Sequence, residues 1–344
     1  MIDFQKRLLV SRFGDPRRDF ELVDLPTEVR VCPLTGKISR LTAERVKGAS
    51  LGEGVWPDVS RPVAASRADC PFCPAALETK SCRLDETRFG RTRFTRGEAF
   101  LFPNLAPYGP YSAVTVIGHE HFTEVGSYDP ARYLDAFLVS RDYLAKVREL
   151  DPAMRYAVIT QNHLPASGGT LVHPHLQVQA EADGPTYAAY WRECLQKAAR
   201  GHGRPFVPLL VATEKAGGER YVGATGRWEW LIMWAPQGFC EVWGFAPPAA
   251  TLDALSDGLL AEMVAGLLCV QRWYRDRGRN SFNLGLYLSE PADPAVPLAC
   301  RIMARANWSS FGRSDRSFFE VLLGEMVFDQ SPESWAAELR PYFG

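Results

Sequence analysis

One order of elements occurs twice along this chain, and that duplication limits the folds open to it more than any single motif does. In the first copy, residues 99–104 read as a strand entering a Pro/Gly turn at 106–110, and 112–117 read as its partner strand. Asp129-Pro130 supplies a helix N-cap and an N1 proline, and Tyr133, Leu134, Phe137, Leu138, Leu144 and Val147 follow on one helical face. Strands at 155–161 and 171–179 close the copy. The second copy has a strand at 228–234, a turn at 235–238 and a strand at 240–245. Pro247-Pro248 then leads into a helix with Leu252, Leu255, Leu259, Met263, Leu267 and Leu268 on its buried side, and strands near 282–288 and 298–304 complete the unit. Two strand–turn–strand–helix–strand–strand units predict an α+β protein, with helices packed on mainly antiparallel sheets.

A helix at 185–199 and a glycine-rich bridge at 202–226 are expected to join the copies. A Cys/Pro-rich leader, residues 1–95, is expected to wrap the first copy. A last helix at 331–339 opens with Ser331-Pro332-Glu333 as cap, N1 proline and first-turn acid. The 344 residues suffice for two units of roughly 150 residues each, and the 46% apolar content supports a core. A net charge of −1 and a pI near 6.6 argue against a nucleic-acid groove or a membrane surface as the main partner. No stretch approaches the ~20 apolar residues of a membrane span, and the first seven residues lack the apolar core of a signal peptide. The eight cysteines are scattered, as in a reducing compartment, so a cytoplasmic protein is expected.

The chemistry is concentrated in the first copy. Five of the six histidines lie within 119–175, and His173-Pro174-His175-Leu176-Gln177 places two imidazoles and a carboxamide at alternate positions. On an extended strand these three side chains form one row, with Leu176 and Val178 on the opposite face. The preceding Gly168-Gly169-Thr170 can wrap a phosphate with backbone N–H groups. The row can present a nucleophilic imidazole beside an amide donor, or it can be two satisfied strand histidines. Cys70-Pro71-Phe72-Cys73 reads as a metal knuckle or as a redox pair, though no βαβ pattern surrounds it. No histidine follows His202, and the second copy carries Cys300-Arg301-Ile302-Met303-Ala304-Arg305 where the first has its histidines. One half is expected to be catalytic and the other supportive.

Several pieces, in order, resemble the galactose-1-phosphate uridylyltransferase branch of the histidine-triad superfamily. Cys32-Pro33-Leu34-Thr35-Gly36-Lys37 is similar to its Asn-Pro-Leu-Thr-Gly segment, Cys70-Pro71-Phe72-Cys73 to its zinc knuckle, and Phe102-Pro103-Asn104 to its nucleoside-contacting Phe-x-Asn. Gly118-His119-Glu120-His121 resembles a third segment. Asn162 and Gly168-Gly169-Thr170 stand where its phosphate contacts lie, and His-Pro-His-x-Gln is its active-site signature. Gly324-Glu325-Met326 and Ser331-Pro332-Glu333 resemble its Tyr-Glu-Met and the helix start after it. The resemblance is strong over 30–180 and weak beyond.

The resemblance implies tandem histidine-triad-like units, an N-terminal one over 1–200 and a C-terminal one over 201–344 that lacks the catalytic histidines. It implies that His175 attacks the α-phosphorus of a nucleoside diphosphate sugar, or a related nucleotide, to form a nucleotidyl-histidine. A phosphate-bearing acceptor of the sugar 1-phosphate type then takes the nucleotidyl group, in a ping-pong scheme. Gln177, where hydrolases of the superfamily have a third histidine, can hold a phosphoryl oxygen but cannot act as an acid or base, which favours transfer over hydrolysis. Asn104, Asn162, Gly168, Gly169, Thr170 and Gln177 are the implied nucleotide and phosphate contacts. Cys70, Cys73, His121 and His173 are the implied ligands of a structural Zn2+, with His119 as a stand-in for His121. A homodimer is also implied.

The pattern departs in two places. Leu105 follows Asn104 where the family usually has aspartate, which puts the uridine preference in doubt. Phe319-Glu320-Val321-Leu322-Leu323-Gly324-Glu325-Met326 lacks the family's lysine and tyrosine, so Glu325, Arg301 and Arg305 are the candidate acceptor contacts, with Arg313 and Arg316 just beyond. Two other readings stand beside transfer to a sugar phosphate. One is a phosphorylase or adenylyltransferase of the same superfamily using inorganic phosphate, and the other is a nucleotide-binding protein without turnover. The string Gly48-Ala49-Ser50-Leu51-Gly52 matches Gly-x-Ser-x-Gly but lacks the strand before it, so a loop is expected there.

Overall fold

The computed structural model describes residues 2–42, 58–183, 186–247, 250–309 and 314–344; the 48–52 string, Pro185, Pro248 and Arg313 lie outside them. The leader forms β1 (Lys6–Asp15), β2 (Glu21–Val31) and β3 (Ile38–Thr42), then α1 (Ser60–Arg67), α2 (Pro74–Lys80), α3 (Glu86–Phe89) and β4 (Phe94–Arg96). The first copy is β5 (Ala99–Pro103), β6 (Tyr111–Val116), α4 (Pro130–Leu150), β7 (Tyr156–His163) and β8 (His175–Glu181). Next come α5 (Thr186–His202), α6 (Phe206–Gly217) and β9 (Tyr221–Thr225). The second copy is β10 (Trp228–Leu231), β11 (Phe239–Ala246), α7 (Asp257–Asp276), β12 (Phe282–Ser289) and β13 (Leu298–Ala304), followed by β14 (Met326–Phe328) and α8 (Pro332–Leu339).

Both copies build one ten-stranded sheet, ordered β4-β5-β6-β8-β7-β12-β13-β11-β10-β9. Outward from its middle, β7-β8-β6-β5 and β12-β13-β11-β10 are corresponding strands in corresponding order, so a pseudo-twofold runs through the central pair. That pair is antiparallel, from His163 opposite Phe282 to Tyr156 opposite Ser289. A smaller sheet, β1-β2-β3-β14, ties the two ends of the chain together through the parallel pair β3–β14.

The period of two sorts the side chains. On β8, Leu176, Val178 and Ala180 are buried in the main core with Tyr133 and Phe137 of α4, while His175 and Gln177 take the other face. The long helices start where their caps allow. Asp129 accepts from Arg132 N at 2.9 Å ahead of Pro130, and Ser256 accepts from Leu259 N at 3.2 Å, each cap contributing about 1 kcal/mol. On the site face of the second copy lies α5, where Trp191 stacks on Trp243 with centroids 4.6 Å apart.

Four local expectations change. The strand predicted at 171–179 begins only at His175, because Pro174 has no N–H to give to the ladder. The helix expected after Pro247 waits for the Ser256 cap, so Leu252 and Leu255 are buried ahead of it. The bridge contains α6 and β9, since an apolar run from Phe206 separates its glycines. The leader does not wrap the first copy alone. Arg30 makes a fork to Glu333 of α8 at 2.7 and 3.0 Å and lies 4.0 Å over the Trp234 ring, while Cys70 and Phe72 pack against Phe100, Phe102, Val114 and Val116. The β1–β2 hairpin leaves Leu8, Val10, Phe20 and Leu22 more than half exposed. No described helix is long and apolar enough to cross a membrane.

Candidate functional site

His175 opens β8, opposite Val116 of β6. Its ring is 5% exposed and meets the edge of Phe72 at 5.4 Å. Its Nδ1–H donates to the carbonyl of His173 at 2.7 Å, which fixes the tautomer and leaves the Nε2 lone pair as the reactive position. Among the described residues nothing bonds Nε2. Burial pushes the His175 pKa below its ordinary value, against a smaller upward push from that hydrogen bond. The imidazole is therefore neutral at pH 7, as a nucleophile must be.

Register puts the other candidates on the same sheet face. Gln177 is two residues along β8 and opposite Thr160 of β7, and Asn162 is two residues beyond Thr160 and opposite Asn283 of β12. Paired residues of an antiparallel ladder share a face, so His175, Gln177 and Asn162 line one surface. The loop after β7 turns back over it. Leu164 and Gly168 have φ of +68° and +95°, and a Cβ on Gly169 would sit 3.2 Å from the Asn162 carbonyl oxygen. Gly169 thus lets the loop backbone pack against the end of β7, after the left-handed turn that Gly168 makes. Thr170 is exposed at its end. At the far edge, Asn104 Oδ1 accepts from Ala106 N at 3.2 Å, beside Leu105 and Tyr108, which are 85% and 76% exposed.

His173 lies one bend before β8, fully buried, rather than on the strand itself. Its ring remains beside Phe72, with centroids 6.1 Å apart. Its Nε2–H donates to the Gly118 carbonyl at 2.8 Å, which turns Nδ1 toward Cys70 and Cys73, both 3.7 Å away. His121 turns Nδ1 to Cys73 Sγ at 3.3 Å, its Nε2 meeting Ser66 Oγ at 2.9 Å. The ligand atoms of Cys70, Cys73, His121 and His173 all lie within 4.8 Å of one another. A tetrahedral metal with bonds of about 2.0–2.3 Å fits between such atoms, and the partners on both Nε2 atoms are the orienting contacts that metal-bound histidines have. Burial, with Cys70 next, pushes the Cys73 thiol up to about 11, so a cation is what would draw the thiolates out. His119 lies outside the cluster, with Glu98 3.6 Å from its Nδ1.

The candidate acceptor arms already have partners within the chain. Arg301 forks to Glu241 at 3.0 and 3.1 Å under the rings of Tyr187 and Trp243. Arg305 forks to Asp315 at 2.5 and 2.9 Å, and Glu325 accepts from Arg40 at 2.5 Å. Asn283 is a site neighbour that sequence reasoning missed. It gives Asn162 a 2.6 Å hydrogen bond from 121 residues away, and no local signal marks it.

The chain is 30% identical to an uncharacterized protein of Archaeoglobus fulgidus over 313 residues, 91% of each sequence. No family model matches. Among solved structures it is similar to a GalT-like protein of Arabidopsis thaliana (14% identity, TM-score 0.70, 91% of this chain and 98% of that one). It is also similar to an ADP-glucose phosphorylase of Arabidopsis thaliana with bound ADP-glucose (15%, 0.69, 91% and 98%) and to a uridylyltransferase (17%, 0.66, 92% and 98%).

Proposed function

For a chain that shares a family with the Archaeoglobus fulgidus protein and has the galactose-1-phosphate uridylyltransferase-like fold of the histidine-triad superfamily, we propose nucleotidyl transfer through His175. The observation that carries this reading is the pinned tautomer. With Nδ1–H held by the His173 carbonyl at 2.7 Å, Nε2 is left without a partner on the face that also holds Gln177, Asn162 and the 168–170 loop.

In this reading Nε2 attacks the α-phosphorus of a nucleoside diphosphate sugar. An N–P bond forms as the bond to the bridging oxygen breaks, and sugar 1-phosphate leaves with that oxygen. A phosphate monoester is a good enough leaving group near pH 7 to need no proton, so the neutral Gln177 amide serves by donating N–H to a phosphoryl oxygen. Asn104 holds the nucleoside, while Asn162, Gly168, Gly169 and Thr170 hold phosphate. An oxygen of the acceptor phosphate then attacks the same phosphorus and restores the imidazole. Zn2+ suits the Cys70, Cys73, His121 and His173 set, where four protein ligands leave no open position and the role is structural. A second copy fits the exposed apolar residues of the β1–β2 hairpin.

Inorganic phosphate as acceptor has one observation in its favour, since Arg301, Arg305 and Glu325 are each engaged within the chain. One experiment tests the reaction and separates the acceptors. ADP-glucose, UDP-glucose and dinucleotides labelled at the α-phosphate are incubated with the protein, and acid-labile, alkali-stable label is expected on wild type and absent from His175→Ala. Glucose 1-phosphate or inorganic phosphate is then added to see which discharges it. No label on wild type from any of the panel would remove the transferase reading. The mass of the same preparation, about twice 38.4 kDa if dimeric, checks the second copy.

A further inference from the structure

We propose that Asn283 and Arg305, both from the half without catalytic histidines, are positioning residues that set the Asn162 amide with its N–H bonds toward bound phosphate. The proposal rests on the nucleotide-site reading above and assigns the second copy a part in it.

A carboxamide carries an oxygen that accepts and a nitrogen that donates, and rotation about its last bond exchanges the two. Which end of Asn162 meets a ligand therefore depends on what holds the other. Asn283 Nδ2 donates to Asn162 Oδ1 at 2.6 Å and to the Ser167 carbonyl at 3.0 Å. Asn283 cannot itself turn over, because its Oδ1 accepts from Arg305 Nη1 at 2.5 Å. Arg305 is fixed in turn by its two bonds to Asp315. Donation thus runs outward from Arg305, to Asp315 on one side and through Asn283 to Asn162 on the other. It ends with the Asn162 oxygen engaged and the nitrogen left to give.

The same residues hold the phosphate loop. Ser281 Oγ donates to the His163 carbonyl at 3.0 Å, and Arg305 Nη1 adds a 3.4 Å contact to the Ser167 carbonyl that Asn283 already holds. The loop's carbonyls are drawn toward the second copy, the side away from β8. Arg305 has given its charge to Asp315, so its guanidinium orients rather than receives an acceptor.

The test is a double-mutant cycle on Asn162→Ala and Asn283→Ala. It is read as the Kd of ADP or UDP, whichever wild type binds more tightly, by titration calorimetry and, where wild type takes label, as the KM and rate of labelling from ADP-glucose or UDP-glucose. Losing an oriented donor to a phosphate is expected to weaken that binding about tenfold. Asn283→Ala should show that loss in the wild-type background and almost none in Asn162→Ala, with thermal unfolding reported for each protein. Asn283→Asp, which keeps the shape and the acceptor for Arg305 but not the donor, serves if the alanine variant does not fold, and it should also weaken binding. Equal losses in both backgrounds, or wild-type affinity in either Asn283 variant, would overturn the proposal while leaving His175 labelling untouched. Absence of label with a coupled cycle in nucleotide binding would remove the transferase reading alone. Failure of wild type to bind either ADP or UDP, with no label from the panel, would remove both.

Discussion

His163 follows Asn162 on β7, and the pleat sends its ring to the opposite face. There Tyr128 OH meets its Nδ1 at 2.8 Å, Phe282 stacks on it at 4.8 Å, and Nε2 has no partner among the described residues. His163 and His175 are both buried imidazoles, but among the described residues His175 has an unpaired nitrogen on the face that carries Gln177 and Asn162, whereas His163 is sealed in the core. The difference has a pH signature. Burial, with the His175 charge second, pushes the His163 pKa down to about 3 from an ordinary value of 6.5. The folded state therefore refuses a proton that the unfolded chain accepts below pH 6.5. Stability from this group is complete above that pH and falls by about 1.4 kcal/mol per pH unit as pH drops toward 3. His121, His173 and His175 shift in the same direction, so a variant is needed to isolate His163. The unfolding temperature of His163→Gln should decline less steeply than that of wild type between pH 6.5 and 4.5, and parallel declines would rule the assignment out.

At the scale of elements, what was legible followed from local pattern. Alternation, Asp129-Pro130 and Ser331-Pro332 marked strands and helix starts because caps and the period of two are set within a few residues. The His-Pro-His-x-Gln row and Cys-x-x-Cys were legible as motifs. That Asn283 would face Asn162, or that Arg305 would pair with Asp315 rather than greet a ligand, depends on the β7–β12 register, which no stretch of either strand states alone. Pro174 made the reverse error, ending a strand that composition extended to 171. The knuckle before α2 belongs to this scale too. Cys70 and Cys73 close on His121 from the β6–α4 loop and His173 from the bend before β8. The residue whose carbonyl holds the His175 ring, His173, is thus itself one of the four that would hold the metal. About one zinc per chain is expected in the purified protein, and Cys73→Ser should lose both the metal and most of the His175 labelling. Wild-type protein without stoichiometric metal would contradict this.

Across the whole molecule, duplication has produced one sheet rather than two independent bodies. Eight residues of β7 pair with eight of β12, and residues of α4 and α7 share one continuous apolar core with both copies' strands. Gln271 of α7 donates to Tyr133 OH of α4 at 3.3 Å inside that core. The small sheet adds a second bond between the ends, since β3 from the leader needs β14 from the C-terminus, and Arg30 needs Glu333. Cutting the chain between the copies would leave β7 as a bare, apolar-backed edge, the kind that pairs with other chains, and would strip Arg30 of Trp234 and Glu333, leaving it Glu28 alone. Residues 1–200 made alone should therefore be insoluble or lack a cooperative melt, whereas the 344-residue chain should unfold in a single transition. Mixing the two separately made halves should restore His175 labelling only if they assemble through β7 and β12. A soluble 1–200 fragment that melts cooperatively and takes label would show that the first copy stands without its neighbour.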